Sequence, residues 1–242
     1  MITTRKAYLY INKDNKKIAA SKITLFSRAS GFYLEAEVST KEKLKINDEV
    51  KVFYVGEEGD ETLVSTLTIY SIPRLDSKII LYASDLYRDK LKAIVPSSAW
   101  RKATAEEIAS SVLSSCDVDN VDLSALSSVT LPHFSCFKQN GWTVLKSLLH
   151  SVNSMTGNNL EIIPSQEGTL TIQELSSFSD SLEAVTVFDT DIVEKGESKL
   201  SCHLLGVVYG QKVSFRGKEF LVKESVMTSS SEERSTLLCL AS

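Results

Sequence analysis

The sequence predicts a β-rich α+β protein in which two small β-barrel-like domains flank an α/β segment. Apolar and polar residues alternate over 32–39, which is the period of a half-buried strand. Polar turn clusters divide the chain before residue 95 into five or six short strands, a spacing typical of small barrels or sandwiches. A capping box and apolar residues at helical spacing then follow from Thr104.

The chain of 242 residues is long enough to bury a sizeable core, and we expect it to divide into three parts. Residues 1–95 are predicted to form an N-terminal β-barrel-like domain. Residues 96–185 are predicted to form the α/β segment with two helices and a hairpin. Residues 186–242 are predicted to form a C-terminal β-barrel-like domain.

The strands of the first part are delimited by turn residues. Polar clusters at 12–15, 46–49 and 56–60, the pair Ser30-Gly31 and the single Pro73 interrupt the β-prone runs. The candidate strands are 7–11, 16–26, 32–39, 50–55, 63–70 and 78–82.

Two helices are predicted in the middle part, near 104–115 and 142–156. Thr104 and Glu107 have the spacing of a capping box, and Ala105, Ile108, Ala109 and Val112 follow at helical spacing. The second helix begins after Asn140-Gly141 and ends before Gly157, which suits the position that follows a helix. Its predicted apolar face consists of Trp142, Leu145, Leu148, Leu149, Val152 and Met155.

The remaining elements are predicted to be extended. A hairpin is expected from 160–163 and 169–172, with its turn at 166–168. Candidate strands of the third part are 207–209, 212–215, 219–222 and 235–240.

The charge balance bears on possible partners. The net charge of −4 disfavours a protein that binds nucleic acid through its overall charge. Residues 1–102 contain 18 basic and 13 acidic residues, a net of +5, whereas residues 103–242 have a net of −9. Such a split predicts surfaces that face different partners, or face each other across subunits. No stretch approaches the roughly 18 apolar residues of a membrane span, and no secretory signal is visible, so membrane insertion is not expected.

Motifs for catalysis or cofactor binding are missing from the sequence. We find no GxGxxG, P-loop, HExxH or GxSxG pattern, so no catalytic residue and no cofactor are predicted. The four cysteines form no CxxC and are expected to be reduced. His133 near Cys136 and the pair Cys202-His203 do not match the usual spacing of zinc ligands, so no metal is predicted.

Three segments give the sequence a resemblance to a known family. They are 98–109, then 137–149 followed by 160–163 and 168–172, and finally 217–222 with the closing strand 235–240. Their order resembles the baseplate hub proteins of contractile phage tails, the late control protein D family. It is also similar to the hub part of type VI secretion spike proteins.

The resemblance implies a structural protein of the virion, made in the bacterial host cytoplasm. Such hubs form a homotrimer in which each subunit contributes two barrel-like tube domains, so that three subunits adapt a sixfold tail tube to a threefold spike. The implied partners are the tail tube, spike and tape-measure proteins, while genomic DNA only passes through the lumen. No long extension follows residue 242, so the spike is expected to be a separate protein.

The strands that form the subunit interface are predicted from their low charge. Exposed strand edges carry unpaired backbone groups, which another subunit can pair. The predicted interface residues are Val207, Val208, Tyr209, Leu237, Leu238 and Leu240. Two alternatives to a hub stay open at this point: a small hydrolase acting on cell-wall polymer through carboxylates, and a carbohydrate-binding β protein.

Overall fold

A computed structural model describes residues 7–29, 31–75, 78–164, 169–196 and 198–241. Packing divides the chain into two compact units. The first unit combines the chain up to Asp85 with the chain from Ser179 onward, and the second unit is Leu86–Phe178.

The first unit is built from strands at both ends of the chain. Its N-terminal strands are β1 (Tyr8–Lys13), β2 (Lys16–Ile18), β3 (Ala20–Arg28), β4 (Gly31–Ser39), β5 (Glu49–Val55), β6 (Glu61–Ser71), β7 (Arg74–Leu75) and β8 (Lys78–Ser84).

The second unit contains most of the helical residues. Its elements are α1 (Leu86–Lys90), β9 (Ser98–Thr104), α2 (Ala105–Ser114), β10 (Val121–Asp122), β11 (Thr130–Cys136), α3 (Gly141–Thr156), β12 (Leu160–Pro164) and β13 (Leu170–Glu174). A fourth helix, α4 (Leu175–Ser181), leads back to the first unit. There the chain forms β14 (Val185–Val187), β15 (Ile192–Lys195), β16 (Lys199–His203), β17 (Lys212–Phe215), β18 (Lys218–Ser230) and β19 (Arg234–Ala241). The short helices α1 and α4 were not expected from the sequence.

One sheet joins all strands of the first unit. Its main path runs β15-β16-β19-β18-β3-β4-β8-β6-β5-β1-β2, with β17 and β14 attached through β18 and β7 attached to β8. The antiparallel pair of β18 and β3 places residues 224–230 opposite 22–28, so strands from the two ends of the chain meet in the sheet.

This pairing differs from the three-part division predicted along the chain. Because β3 and β18 share a ladder, the segments 1–95 and 186–242 contribute to one unit. The boundaries of the middle unit also lie earlier, at Leu86 and Phe178 rather than at 96 and 185. Within the described residues, no pairing joins β15 to β2, so the main path is open. The β-rich fold is therefore confirmed, while the barrel-like form of the two β parts stays a prediction.

Alternation along the strands places the core of the first unit on one side of the sheet. In β4, Phe32, Leu34, Ala36 and Val38 are almost fully buried, as the period of two predicts. They pack with Ile11, Leu25, Val52 and Met227 in one apolar cluster. A smaller cluster of the same unit contains Val213, Phe215, Val222 and Leu238.

In the second unit, α2 and α3 pack together over short strands. Thr104 caps α2: its Oγ1 accepts from the backbone N–H of Glu107 at 3.1 Å, and Glu107 Oε2 accepts from the N–H of Thr104 at 2.8 Å. Asn140 caps α3 by accepting from the N–H of Thr143 at 2.8 Å, and Gly157 ends it with φ of 76°. The predicted capping box and both helices are confirmed.

Other predictions for the second unit were less accurate. Met155 is 55 % exposed, so its predicted place on the buried face of α3 is wrong, whereas Leu145 and Leu148 are fully buried. Strands β12 and β13 pair antiparallel as predicted, with Ile162 opposite Ile172. Their predicted turn, 166–168, lies outside the described residues. Between α2 and α3 the chain also forms a short 3-10 helix, Ser124–Leu126, which was not expected from the sequence.

Candidate assembly surface

The first predicted interface segment is buried within its own unit. Val207, Val208 and Tyr209 lie outside any strand, so the strand predicted for 207–209 is wrong. Tyr209 donates its backbone N–H to Ser27 Oγ at 2.9 Å, and Val208 donates its backbone N–H to Gln211 Oε1 at 3.1 Å. Side-chain oxygens of Gln211 and Ser27 thus accept the backbone hydrogen bonds that a neighbouring strand would accept in a sheet. All three residues are at most 6 % exposed, which leaves the predicted subunit contact little exposed surface.

The second predicted segment lies in β19, which is an interior strand of the sheet. It pairs with β16 on one side and β18 on the other, so its predicted role as a free edge is wrong. Leu238 points into the core and is fully buried, and Leu240 is half-buried. Leu237 lies on the opposite face and is 38 % exposed, which makes it the one exposed member of the six predicted residues.

The open ends of the main path are β2 and β15, and both carry features that protect a sheet edge. The exposed Lys16 and Lys17 lie on β2, and charged lysines discourage pairing with another chain. Lys17 Nζ lies 3.9 Å from the ring centroid of Tyr10 and 3.4 Å from Glu61 Oε1. On β15 the register shifts between Ile192 and Glu194, which interrupts a regular edge.

A groove of about 830 Å³ borders β15 and the turn between β17 and β18. That turn has positive φ at Arg216 and Gly217, 50° and 73°, as a tight two-residue hairpin requires. Lys195 Nζ and Arg216 Cζ lie 5.1 and 5.2 Å from the ring centroid of Phe215. The cations that line the groove are Lys195, Lys199, Arg216 and Lys218. The groove therefore offers positive charge beside an aromatic ring.

Acidic residues line a second opening, of about 500 Å³, at the other end of β18 and β19. Glu57 and Glu232 line it together with His203 and Arg234. The cations of the groove belong to residues 103–242, whose net charge is −9. The net charge of that part of the sequence therefore does not predict the charge of this surface.

Asp85 is a buried ionisable group of the first unit. Its Oδ2 accepts from the backbone N–H of Phe32 at 2.5 Å, and its Oδ1 has no partner among the described residues. Burial raises the pKa of this carboxyl to about 8, so it is predominantly protonated at neutral pH. No described histidine or cysteine is hydrogen-bonded to it.

The described residues contain no group of three or more His, Cys, Asp and Glu that could hold a metal ion. Cys116, Cys136 and Cys202 are buried, Cys239 is partly exposed, and none of the four is in a disulfide. Burial raises the pKa of Cys202 to about 11, which makes its thiol a poor nucleophile. Glu107 caps α2, and Glu233 Oε1 accepts from Ser235 Oγ at 2.8 Å. Among the described helices, none has the length and apolar character needed to cross a membrane.

Solved structures with the same arrangement of elements identify the fold. A 43 kDa tail protein of prophage MuSo2 from Shewanella oneidensis superposes with a TM-score of 0.67 at 11 % identity, over 98 % of each chain. A tail protein from Neisseria meningitidis superposes with a TM-score of 0.69 at 12 % identity, over 97 % of this chain and 96 % of that one. The chain has the fold of phage tail proteins. No model of a known protein family and no curated protein matches the sequence.

A third structure extends the likeness to secretion systems. The Escherichia coli protein c3393 superposes with a TM-score of 0.68 at 7 % identity, over 96 % of this chain and 76 % of that chain. It is described as a component of the type VI secretion system with structural similarity to tail proteins of bacteriophage T4. These matches confirm, at the level of the fold, the resemblance to tail hub proteins seen in the sequence.

Proposed function

We propose that this protein is a structural baseplate hub of a contractile phage tail or a related injection system. The observation that carries the proposal is the shared fold with two phage tail proteins over nearly the full length of each chain. The secretion-system component c3393, itself likened to phage tail proteins, supports the wider assignment to injection systems.

In this proposal the protein forms a homotrimeric ring that adapts a sixfold tail tube to a threefold spike. The strands before Asp85 and those after Ser179, which share the β3–β18 ladder, serve as two barrel-like tube parts of one unit, so three subunits supply six similar positions around the ring. Closed rotational symmetry is the common way in which identical subunits satisfy their contact surfaces. The partners are the tail tube, spike and tape-measure proteins, and the protein is located in the baseplate of the virion.

The net charge supports a passage through which DNA moves without being held. A net charge of −4 disfavours tight binding to phosphates, because nucleic-acid affinity depends on neutralising them with lysine and arginine. The hydrolase and the carbohydrate-binding protein are not favoured by any group of side chains within the described residues.

The test is the symmetry of the protein inside its particle. An epitope inserted at the exposed tip between Glu58 and Gly59 labels each copy, and electron cryomicroscopy of the labelled tail counts the copies at the junction of tube and spike. Three labels are expected. Six equivalent labels, or one, contradict the trimeric hub. An insertion at the exposed 231–233 tip is the matched control, because it must give the same number.

A further inference from the structure

The groove beside β15 lies between two hairpins of the first unit; we call it the basic groove. The first hairpin joins β15 to β16, and at its turn Gly196 donates its backbone N–H to the Lys199 carbonyl at 2.8 Å. The second joins β17 to β18 through Arg216 and Gly217. Because β19 pairs with both β16 and β18, its last residues lie between the hairpins, and Leu240 lines the groove. The strand pairing therefore positions both walls.

Part of the lining is apolar. Phe220 and Leu240 line the groove and are half-buried, because they pack at the border of the smaller apolar cluster of this unit. Leu200 and Phe215, which are almost fully buried in that cluster, line the groove as well. A bound segment with apolar side chains would cover this surface, whereas a single small anion would leave it in water.

Lysines stand on both sides of the apolar surface. Lys199 belongs to one hairpin and Lys218 to the other; both are exposed, and within the described residues neither pairs with a carboxylate. Arg216 Nη2, by contrast, lies 2.7 Å from Asp189 Oδ1. Glu219 is the one carboxylate that lines the groove in the described part of the chain. Cations therefore outnumber carboxylates in the groove, and two lysines have their charge available for a partner.

We propose that the basic groove binds an acidic peptide segment of a partner protein, one in which Asp or Glu alternates with apolar residues. Carboxylates of the segment pair with Lys199 and Lys218, and its apolar side chains pack on Phe220 and Leu240. Complementary charges steer the association of two proteins and fix the register of the contact. The volume of about 830 Å³ lies within the roughly 300–1,000 Å³ of typical ligand sites, which is room for a short peptide.

Two observations favour a peptide over a nucleic acid. Lys195 Nζ and Arg216 Cζ lie close to the Phe215 ring, and Phe215 is 5 % exposed, so this ring offers no face on which a base could stack. Glu219 lines the groove and Asp189 neutralises Arg216, whereas affinity for nucleic acid depends on several cations that neutralise phosphates. Two unpaired lysines around an apolar surface suit carboxylates that alternate with apolar side chains over a few residues.

The first experiment measures binding of a fluorescein-labelled peptide, Glu-Phe-Glu-Leu-Asp-Phe, to the full chain by fluorescence anisotropy. Binding is expected at low salt and should weaken as the salt concentration rises, because exposed charges are screened. The variant Lys199→Glu/Lys218→Glu is expected to bind at least about tenfold more weakly, since like charges then face each other. Lys22→Glu/Lys51→Glu is the matched control: both lysines are exposed, lie on β3 and β5 outside the groove, and change the net charge equally.

Folding of each variant is verified by circular dichroism. Lys199→Gln/Lys218→Gln replaces the charge-reversal variant if that one does not fold, and it too is expected to weaken binding, because it removes both cations. A wild type that does not bind the peptide at protein concentrations up to about 1 mM overturns the proposal. So does a groove variant that binds as tightly as the control variant.

The second experiment changes the peptide. Replacing its acidic residues by Gln and Asn is expected to abolish binding, and replacing its apolar residues by Ser is expected to weaken it, because the apolar lining then stays exposed to water. Binding that is unchanged by either replacement contradicts the proposed recognition.

Two further measurements separate the peptide from other occupants. A single-stranded oligonucleotide of equal charge that binds more tightly than the peptide, and loses its binding in the groove variant, would assign the groove to phosphates and overturn the proposal. Self-association of the wild type that the groove variant abolishes would assign it to a second copy of the chain instead. The inference goes beyond the proposed function: each of these failures leaves the hub role standing, whereas a particle without three copies at the hub position contradicts that role and leaves the groove unaffected.

Discussion

Asp85 Oδ2 accepts a hydrogen bond from the backbone N–H of Phe32 at 2.5 Å, just beyond the end of β8. Burial raises the pKa of this carboxyl to about 8, whereas an aspartate in an unfolded chain ionises near pH 4. Between these two values the folded protein keeps a proton that the unfolded chain has released. The contribution of Asp85 to stability is therefore fully present below about pH 4 and is lost as the pH rises through about 8.

We expect Asp85→Asn to stabilise the protein above neutral pH. The amide oxygen can still accept from the Phe32 N–H, and an amide has no ionised form whose burial costs free energy. At pH 8 the free energy of unfolding of the first unit should rise by at least about 2 kcal/mol, with little change at pH 4. Thermal unfolding followed by circular dichroism at pH 4, 6 and 8 measures this difference.

Asp85→Ala provides the contrasting variant. It leaves the Phe32 N–H without its acceptor, so it should lower stability at pH 4 by about 1–3 kcal/mol. The free energies of unfolding of the wild type and of Asp85→Asn are compared from pH 4 to 8. A constant difference between them would show that the carboxyl does not keep its proton in the folded state.

Substitutions in the capping box should change the stability of the second unit only. Thr104→Ala removes the acceptor for the Glu107 N–H and should cost about 1 kcal/mol, whereas Thr104→Ser keeps the hydroxyl and should cost much less. Both tryptophans of the chain, Trp100 and Trp142, lie in the second unit, so denaturant unfolding followed by their fluorescence measures that unit alone. Equal midpoints for the alanine and serine variants would contradict the capping role.

The capping box could be predicted because its signal is local. Thr104 and Glu107 are three residues apart, and their hydrogen bonds depend on little else. The alternation over 32–39 likewise predicted β4 and its buried face, because a strand with one face in a core has a period of two.

Features that depend on distant residues could not be predicted from the sequence. The segment 207–209 is as apolar as a strand, yet it is held by Ser27, which lies 182 residues away from Tyr209. The pairing of β16 with β19 also makes β19 an interior strand, and no local pattern encodes that pairing.

Close packing between Gly141 and Cys116 predicts a coupled pair. A Cβ added at Gly141 would lie 2.6 Å from Cys116 Sγ and 3.1 Å from Leu91 Cδ2, well inside normal contact distances. Gly141→Ala should therefore destabilise the second unit by about 1–3 kcal/mol through overpacking. Cys116→Ala removes the sulfur, so the double variant should lose less stability than the sum of the two single variants.

A double-mutant cycle from tryptophan-detected unfolding measures this coupling. Strictly additive effects would show that Leu91 or the backbone, rather than the sulfur, limits the space at position 141. Gly157→Ala is a useful contrast. Its added Cβ has open space but φ is 76°, so any cost there comes from the backbone and should not couple to Cys116.

The two compact units predict how fragments of the chain behave. Residues 86–178 should fold alone, because α2, α3 and their neighbouring strands share one apolar cluster within that segment. Residues 1–95 should not fold alone. Without β18 the ladder of β3 loses a partner strand, and Met227, which packs among the core residues of β1–β8, is missing. Circular dichroism and the amide dispersion in NMR spectra of the two fragments distinguish these outcomes.

A complementation experiment tests whether the two segments of the first unit can fold together as separate chains. Residues 179–242 supplied as a separate chain should restore structure to residues 1–95, because the two segments together contain every strand of the first unit. Met227→Asp in the supplied chain should prevent this restoration, since an unpaired charge would then enter a fully buried position. Lys223→Asp, at an exposed position of the same strand, should not prevent it. A fragment 1–95 that folds cooperatively by itself would instead favour separate N- and C-terminal β domains, as the sequence predicted.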